Sequence, residues 1–145
     1  MKAVIQRVLG AKLIVEGKTV SEIGQGFVVF LGVGKGDTKA DGDYFIKKLP
    51  PLRIFEDENE RINLSAIDVK GEILLVSQFT LFADTSHGNR PSFFDAESPE
   101  KADELYKYVG KGLENFLPVK YGVFGADMRI EQINDGPFTV EMQSR

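Results

Sequence analysis

Short segments that alternate apolar and polar residues occupy the first part of the chain. They cover residues 3–8, 12–16 and 19–23, and Gly17-Lys18 between the last two is typical of a hairpin turn. An alternation with a period of two predicts strands that bury one face. We therefore expect a β-rich N-terminal region.

Two apolar runs lack this alternation. Residues 27–33 and 72–76 are almost continuously apolar and each is preceded or bounded by glycine, which predicts strands buried on both faces. Shorter runs at 52–55 and 62–64 predict two further strands. Residues 128–133 and 138–142 are interpreted as two strands joined by residues 134–137.

Two segments have helical signals. Asp37 or Thr38 can cap a helix that ends near residue 49, before two prolines, although Gly42 within it is unfavourable. The second helix begins at Ser98-Pro99 and is predicted to continue to about residue 116. Its apolar positions recur at helical spacing: Ala102, Leu105, Tyr106, Val109, Leu113 and Phe116.

Composition narrows the class of protein. The chain has 145 residues and 42% hydrophobic content, which predicts one domain over residues 1–145. The sequence contains no cysteine, which excludes disulfides and thiolate chemistry, and its first residues lack the apolar core of a signal peptide, so we expect a cytoplasmic protein. A net charge of −4 argues against broad, sequence-independent binding to nucleic-acid backbones.

Candidate chemistry lies at the end of the second apolar run. Ser77, Gln78, Phe79 and Thr80 follow it directly, and a polar loop at 85–92 comes next. If the strand continues, Gln78 and Thr80 share one face, so an amide lies beside a hydroxyl. The alternative to a catalytic role is that Ser77 and Thr80 are ordinary strand residues whose hydroxyls hydrogen-bond the neighbouring backbone.

Ser77-Gln78-Phe79-Thr80-Leu81 together with Asn134-Asp135-Gly136-Pro137-Phe138-Thr139 resembles the two signature motifs of the D-aminoacyl-tRNA deacylase family. Further segments match in the same order: residues 3–8, 52–55, 63–65, 88–93 and 122–128. Two positions depart from the family pattern. Phe138 stands where valine is usual, and Phe82 stands where tyrosine is usual.

The resemblance implies a homodimeric hydrolase that cleaves the ester between a D-amino acid and the terminal adenosine of tRNA. We expect an α+β fold with a barrel-like β core, built from mixed and antiparallel sheets and flanked by two main helices. No cofactor, metal, membrane or DNA partner is expected. The resemblance also implies that Gly136-Pro137 has a cis peptide bond and enters the pocket of the neighbouring subunit.

The expected catalytic residues are Ser77, Gln78, Phe79 and Thr80, and those expected to bind substrate and select its chirality are Gly136, Pro137, Asn134 and Met128. An ester needs a positioned nucleophile and donors for the developing oxyanion. The backbone N–H of Phe79 or Thr80 and the Gln78 amide are the predicted donors. Thr80 is either the nucleophile or a group that positions water or the ribose, and the scarcity of bases favours the second role.

Chirality is expected to follow from steric exclusion. If the backbone of Gly136-Pro137 forms one wall of the pocket, the side chain of an L-residue clashes with it, whereas many D-residues fit. Glycine has no side chain to exclude, so glycyl-tRNA should also be cleaved.

Other candidates are weaker. His87 lies in the polar loop and is left out of the site. The acidic residues at 56–60 lack the spacing of metal ligands, and residues 32–37 lack that of a phosphate-binding loop. Two other functions are retained as alternatives: a nucleic-acid-binding module without catalysis, and an esterase for small acyl esters.

Overall fold

A computed structural model describes residues 1–144 of the chain. The strands are β1 (Lys2–Val15), β2 (Lys18–Ile23), β3 (Gly26–Gly32), β4 (Arg53–Glu56), β5 (Ile62–Ser65), β6 (Glu72–Ser77), β7 (Val119–Tyr121) and β8 (Arg129–Gln143). The helices are α1 (Lys39–Lys48) and α2 (Pro99–Leu113), and a 3₁₀ turn spans Phe79–Phe82.

The main sheet is mixed and barrel-like. Its strand order is β2-β1-β3-β6-β7, and β8 also pairs with β1. The pairs that β1 makes with β2, β3 and β8 are antiparallel, whereas β3–β6 and β6–β7 are parallel. Strands β4 and β5 form a separate antiparallel ribbon. With its two helices, this arrangement confirms the predicted α+β fold.

The two predicted central strands are buried on both faces. Within β6 the four residues from Ile73 to Val76 are all buried, and six of the seven residues of β3 are buried. Phe27 and Leu75 belong to the larger core cluster, which also contains residues of both helices, whereas Val28 and Leu74 belong to a second cluster. Strands β3 and β6 are continuously apolar because each of them contacts one apolar cluster on either face of the sheet.

The helices pack closely against each other at glycines. A Cβ on Gly42 of α1 would lie 3.0 Å from the Tyr108 ring, and one on Gly112 of α2 would lie 2.3 Å from Ile46. Gly42 thus lowers the helix propensity of α1, but its missing side chain permits the close approach of α2. The prediction for α1 is confirmed, whereas α2 ends at Leu113, earlier than predicted, and Phe116 beyond it is 51% exposed.

Other boundaries were predicted incorrectly. The segments expected at 3–8 and 12–16 are parts of the single strand β1, which ends at Val15, and the two strands expected within 128–142 are the single strand β8, which begins at Arg129. No hairpin forms at residues 134–137, because both halves of β8 pair with β1 and not with each other. Strand β7 was not predicted, since three residues are too few for a periodic signal. No helix in residues 1–144 has the length and hydropathy needed to cross a lipid bilayer.

Candidate active site

The segment Ser77–Phe82, called the strand-end motif below, leaves the sheet abruptly. Ser77 is the last residue of β6, and the Gln78 N–H donates to the Leu31 carbonyl at 2.9 Å. The chain then forms the 3₁₀ turn, so the alternation of faces predicted beyond Ser77 is wrong. The motif therefore lies at the carboxyl edge of the parallel pair β3–β6.

Gln78 and Thr80 nevertheless meet. The Gln78 Nε2 donates to Thr80 Oγ1 at 2.6 Å. No histidine or carboxylate in residues 1–144 hydrogen-bonds Thr80, and the backbone N–H groups of Phe79 and Thr80 donate no hydrogen bond within that part of the chain. The motif thus presents two unused backbone donors beside an oriented hydroxyl.

Phe82 fixes the position of the 3₁₀ turn. Its ring packs on the backbone of β3 and the residues after it, where a Cβ on Gly34 would lie 2.4 Å from the ring and one on Gly32 would lie 3.1 Å away. The Lys2 ammonium lies 4.8 Å from the centroid of the same ring. Phe82 stands where the family usually has tyrosine, and the packing of its ring requires no hydroxyl.

A cavity of about 630 Å³ opens beside the motif. Ser77, Gln78 and Phe79 line one part of it, and the remaining lining comes from Val33, Val76, Phe93, Ala96, Glu97, Pro99, Ala102, Phe124, Gly125, Ala126, Asp127, Met128 and Ile130. The rings of Phe79 and Phe93 meet edge to face with centroids 5.1 Å apart. The cavity is thus mostly apolar, with a few polar groups in its wall.

Glu97 is an ionised group in the cavity wall. Its carboxylate accepts from the Lys101 Nζ and the Ser98 N–H, each at 2.8 Å. These bonds, the one from Lys101 foremost, lower the pKa of Glu97 from its ordinary 4.5 to about 2. Glu97 was not identified from the sequence, because its distance along the chain from the motif gives no sign that the two share a cavity.

The structure brings together only some of the predicted site residues. Ser77, Gln78, Phe79 and Met128 line the cavity, whereas Thr80 lies beside it without lining it. The segment Asn134–Pro137, called the Gly-Pro segment below, is not part of the cavity lining of its own chain. His87 is exposed in the loop and is also outside the lining.

The Gly-Pro segment is an irregular part of β8. The pairing register with β1 shifts twice here, between Gln6 and Val8, opposite the segment itself, and between Val8 and Gly10. Gly136 has φ 121°, which disfavours any residue with a side chain, and its peptide bond to Pro137 is cis. Asn134 is exposed, and its Oδ1 accepts from Gln132 Nε2 at 2.8 Å.

The buried side chain of Arg7 binds this segment. Its side chain is only 4% exposed, and its Nε lies 3.1 Å from both the carbonyl oxygen and the Oδ2 of Asp135. The Nη1 donates to the Ile54 carbonyl at 2.7 Å, and the Nη2 lies 3.5 Å from Glu56. The Phe138 ring centroid lies 5.3 Å from the guanidinium carbon, so Phe138, which stands where valine is usual, packs against Arg7.

Sequence reasoning did not assign Arg7 to the site, although one signal was present. Arg7 has the same strand parity as Ala3 and Ile5, whose side chains are buried. A charged residue on the buried face of a strand needs dedicated partners, and Asp135 of the Gly-Pro segment is one of them.

No group of three or more histidine, aspartate or glutamate side chains arranged to hold a metal ion is found in residues 1–144.

Comparison with known proteins identifies the family. The family described as D-Tyr-tRNA(Tyr) deacylase matches residues 4–143. The chain belongs to this family. This confirms the resemblance read from the two motifs, and the family's members are hydrolases.

Relatives match along nearly their whole length. D-aminoacyl-tRNA deacylase of Persephonella marina is 54% identical over 145 residues, covering 100% of this chain and 99% of the relative. D-aminoacyl-tRNA deacylase of Thermosipho melanesiensis is 47% identical over 147 residues, covering 100% and 98%.

Two solved structures have the same fold. The c-Myc DNA Unwinding Element Binding Protein superimposes with a TM-score of 0.94 at 40% identity, covering 100% of this chain and 99% of the other. A probable eukaryotic D-amino acid tRNA deacylase superimposes with a TM-score of 0.80, covering 97% of each chain. At 18% identity, the second similarity supports the fold alone.

Proposed function

We propose that this chain, acting as one domain, hydrolyses the ester of D-aminoacyl-tRNA and releases the free D-amino acid and tRNA. The observation that carries the proposal is the placement of Ser77, Gln78 and Phe79, from the first family motif, in the wall of a mostly apolar cavity. Full-length similarity to D-aminoacyl-tRNA deacylases supports the same substrate class.

The chemistry fits a site that positions groups and has no strong base. The backbone N–H groups of Phe79 and Thr80 are free to donate to the oxyanion that forms when the ester carbonyl is attacked. The Gln78 amide occupies a lone pair of the Thr80 hydroxyl, which leaves that hydroxyl able to donate and makes it a poorer nucleophile. We therefore assign Thr80 to positioning, with water as the nucleophile, assisted by the ribose 2′-hydroxyl of the substrate.

Single-turnover kinetics of Thr80→Ala test this assignment. Partial loss of the deacylation rate, with tRNA binding retained, is expected for a positioning residue. Complete loss with intact tRNA binding would instead support a covalent intermediate on Thr80.

Chiral selection is assigned to the Gly-Pro segment of a second subunit. The segment does not line the cavity of its own chain, and Gly136 and Pro137 are exposed. Leu9 and Ile133 near it are 56% and 64% exposed, which suits burial against another copy of the chain. In a two-fold dimer the segment of each subunit can wall the cavity of the other, and the missing side chain of Gly136 lets this backbone approach the substrate.

Mixed dimers provide a direct test of this exchange. Gln78→Ala is expected to disable the cavity of its own chain, and Gly136→Val is expected to disable the segment that its chain donates. Co-assembly of the two variants should restore selective cleavage of D-tyrosyl-tRNA in one of the two sites. Absence of restoration in a purified mixed dimer would contradict donation between subunits, as would a monomeric mass for the active enzyme.

The proposed activity is tested with matched substrates. Purified protein should cleave D-tyrosyl-tRNA and glycyl-tRNA and leave L-tyrosyl-tRNA intact. Resistance of glycyl-tRNA would remove steric exclusion as the cause of selectivity, while equal cleavage of the two tyrosyl esters would remove selectivity itself.

A second candidate is nucleic-acid binding without hydrolysis. It is favoured by the name of one structural neighbour, which describes a protein that binds a DNA unwinding element. Retention of tRNA or single-stranded DNA by protein that leaves D-tyrosyl-tRNA intact would favour this function over the first.

A further inference from the structure

We propose that Phe94 and Lys35 form a subsite for the unpaired nucleotide that precedes the terminal adenosine of the tRNA. The inference rests on the proposed function, because it deepens the recognition of the same substrate. It concerns a surface outside the cavity that the two family motifs do not include.

Phe94 and Lys35 form an exposed pair. The Lys35 Nζ lies 3.3 Å from the centroid of the Phe94 ring. Phe94 is 76% exposed, more than any other large apolar side chain in the described part of the chain. No carboxylate in residues 1–144 forms an ion pair with Lys35. An aromatic face and a cation without an acidic partner are therefore presented together to solvent.

The pair is fixed at the edge of the cavity. The Lys35 N–H donates to the Asp95 carbonyl at 2.9 Å, and the Glu97 N–H donates to the Val33 carbonyl at 3.0 Å. Val33 and Glu97 both line the cavity, and so does Phe93, the residue directly before Phe94. These backbone bonds join residues 95–97 to the residues that follow β3, so the backbone that presents the pair is bonded to the cavity wall.

An unpaired RNA end suits this chemistry. Base stacking on an exposed aromatic ring and contact of an ammonium with a phosphate are the two elements of single-strand recognition. If the esterified adenosine occupies the cavity, the nucleotide before it must leave across the rim. A local cation is needed there because the chain as a whole has a net charge of −4.

The inference is tested by comparing two substrates. D-tyrosyl-tRNA contains the preceding nucleotides, whereas D-tyrosyl-adenosine lacks them. Phe94→Ala should lower kcat/KM for the tRNA by about ten-fold or more, and the value for D-tyrosyl-adenosine should stay within about two-fold. Lys35→Gln should give a smaller loss on the tRNA that shrinks as salt is raised.

Matched controls separate this subsite from general surface effects. Phe116→Ala removes another half-exposed phenylalanine, and Lys47→Gln removes another exposed lysine, both at positions outside the cavity lining. Neither should distinguish the two substrates. An equal loss on both substrates with Phe94→Ala, or no loss on either, would overturn the subsite.

Direct binding keeps this inference separable from the proposed function. A short unpaired RNA that ends in C-C-A should bind the wild-type protein, and Phe94→Ala should weaken that binding by a similar factor in fluorescence anisotropy. If wild-type protein cleaves neither ester, the proposed function fails while the anisotropy result still decides the subsite. Unchanged RNA affinity in Phe94→Ala would refute the subsite whatever the catalytic result.

Discussion

The strand-end motif and the Gly-Pro segment differ in how much of their surroundings one chain supplies. The motif follows a strand buried on both faces, and its 3₁₀ turn is fixed by the Phe82 ring against β3. The Gly-Pro segment lies in a strand whose residues are all exposed or half-buried, and it is held from one side by Arg7. The surroundings of the first region thus come from its own chain, whereas the second region leaves an exposed surface.

We infer from this contrast that the strand-end motif and the Gly-Pro segment have different roles. Changes in the motif should affect the rate of ester cleavage with little effect on stability. Changes around the Gly-Pro segment should affect stability and the discrimination between mirror-image substrates.

The largest expected effect is on catalysis, from Gln78→Ala. Loss of this amide removes one predicted oxyanion donor and releases the Thr80 hydroxyl, so the single-turnover rate should fall by roughly 10²–10³-fold. The melting temperature should change little, because Gln78 is only partly buried at the end of its strand. Gln143→Ala, an exposed glutamine in β8, is the control and should leave both quantities unchanged. A large drop in melting temperature for Gln78→Ala would contradict the expectation that changes in the strand-end motif have little effect on stability.

Arg7→Met should have the next largest effect, and chiefly on stability. The change leaves the Ile54 carbonyl and the Asp135 carboxylate without their donor, which should lower the free energy of unfolding by about 1–3 kcal/mol in urea titrations. The loosened segment should also let L-tyrosyl-tRNA be cleaved faster than by the wild type. Arg61→Met, at an exposed arginine, is the matched control. Unchanged rejection of the L-substrate would show that Arg7 does not position the segment.

Phe138→Val should act in the same direction, but less strongly. It removes the ring that faces the Arg7 guanidinium and exchanges a half-buried side chain for a smaller one, at a cost of about 1 kcal/mol in unfolding free energy. Phe116→Val, at an exposed phenylalanine, should cost less in the same titration. If the two substitutions cost the same, the contact with Arg7 contributes nothing measurable.

The smallest effect concerns acid stability on the cavity side. Because folding lowers the pKa of Glu97 from 4.5 to about 2, its ionised form stabilises the folded state above about pH 4.5, and that contribution disappears as the pH falls toward 2. Glu97→Gln should therefore be less stable than wild type at neutral pH and should approach it in strong acid. Thermal melts at pH 7 and pH 3 measure this difference, and a difference that does not shrink at pH 3 would contradict the ion pair as its cause.

Much of the fold was predictable from local pattern. The buried strands, the start of α2 and a cap for α1 at Asp37 or Thr38 all follow from signals within a few residues, and Thr38 is the cap in the structure. The prediction of two separate strands joined by residues 134–137 was wrong for a physical reason: local turn chemistry does not reveal that both flanking segments pair with β1. The catalytic roles assigned to Thr80 and its neighbours, and the exchange of segments in a dimer, stay predictions.

The sequence by itself determined the family and the apolar strand that ends at Ser77, because both depend on the order of neighbouring residues. Only the tertiary structure decided that Glu97 and Phe93 share one cavity with them, and that Arg7 binds the Gly-Pro segment. The reason is that side-chain contacts across a barrel-like sheet depend on strand order and register, which are set by the packing of the whole chain.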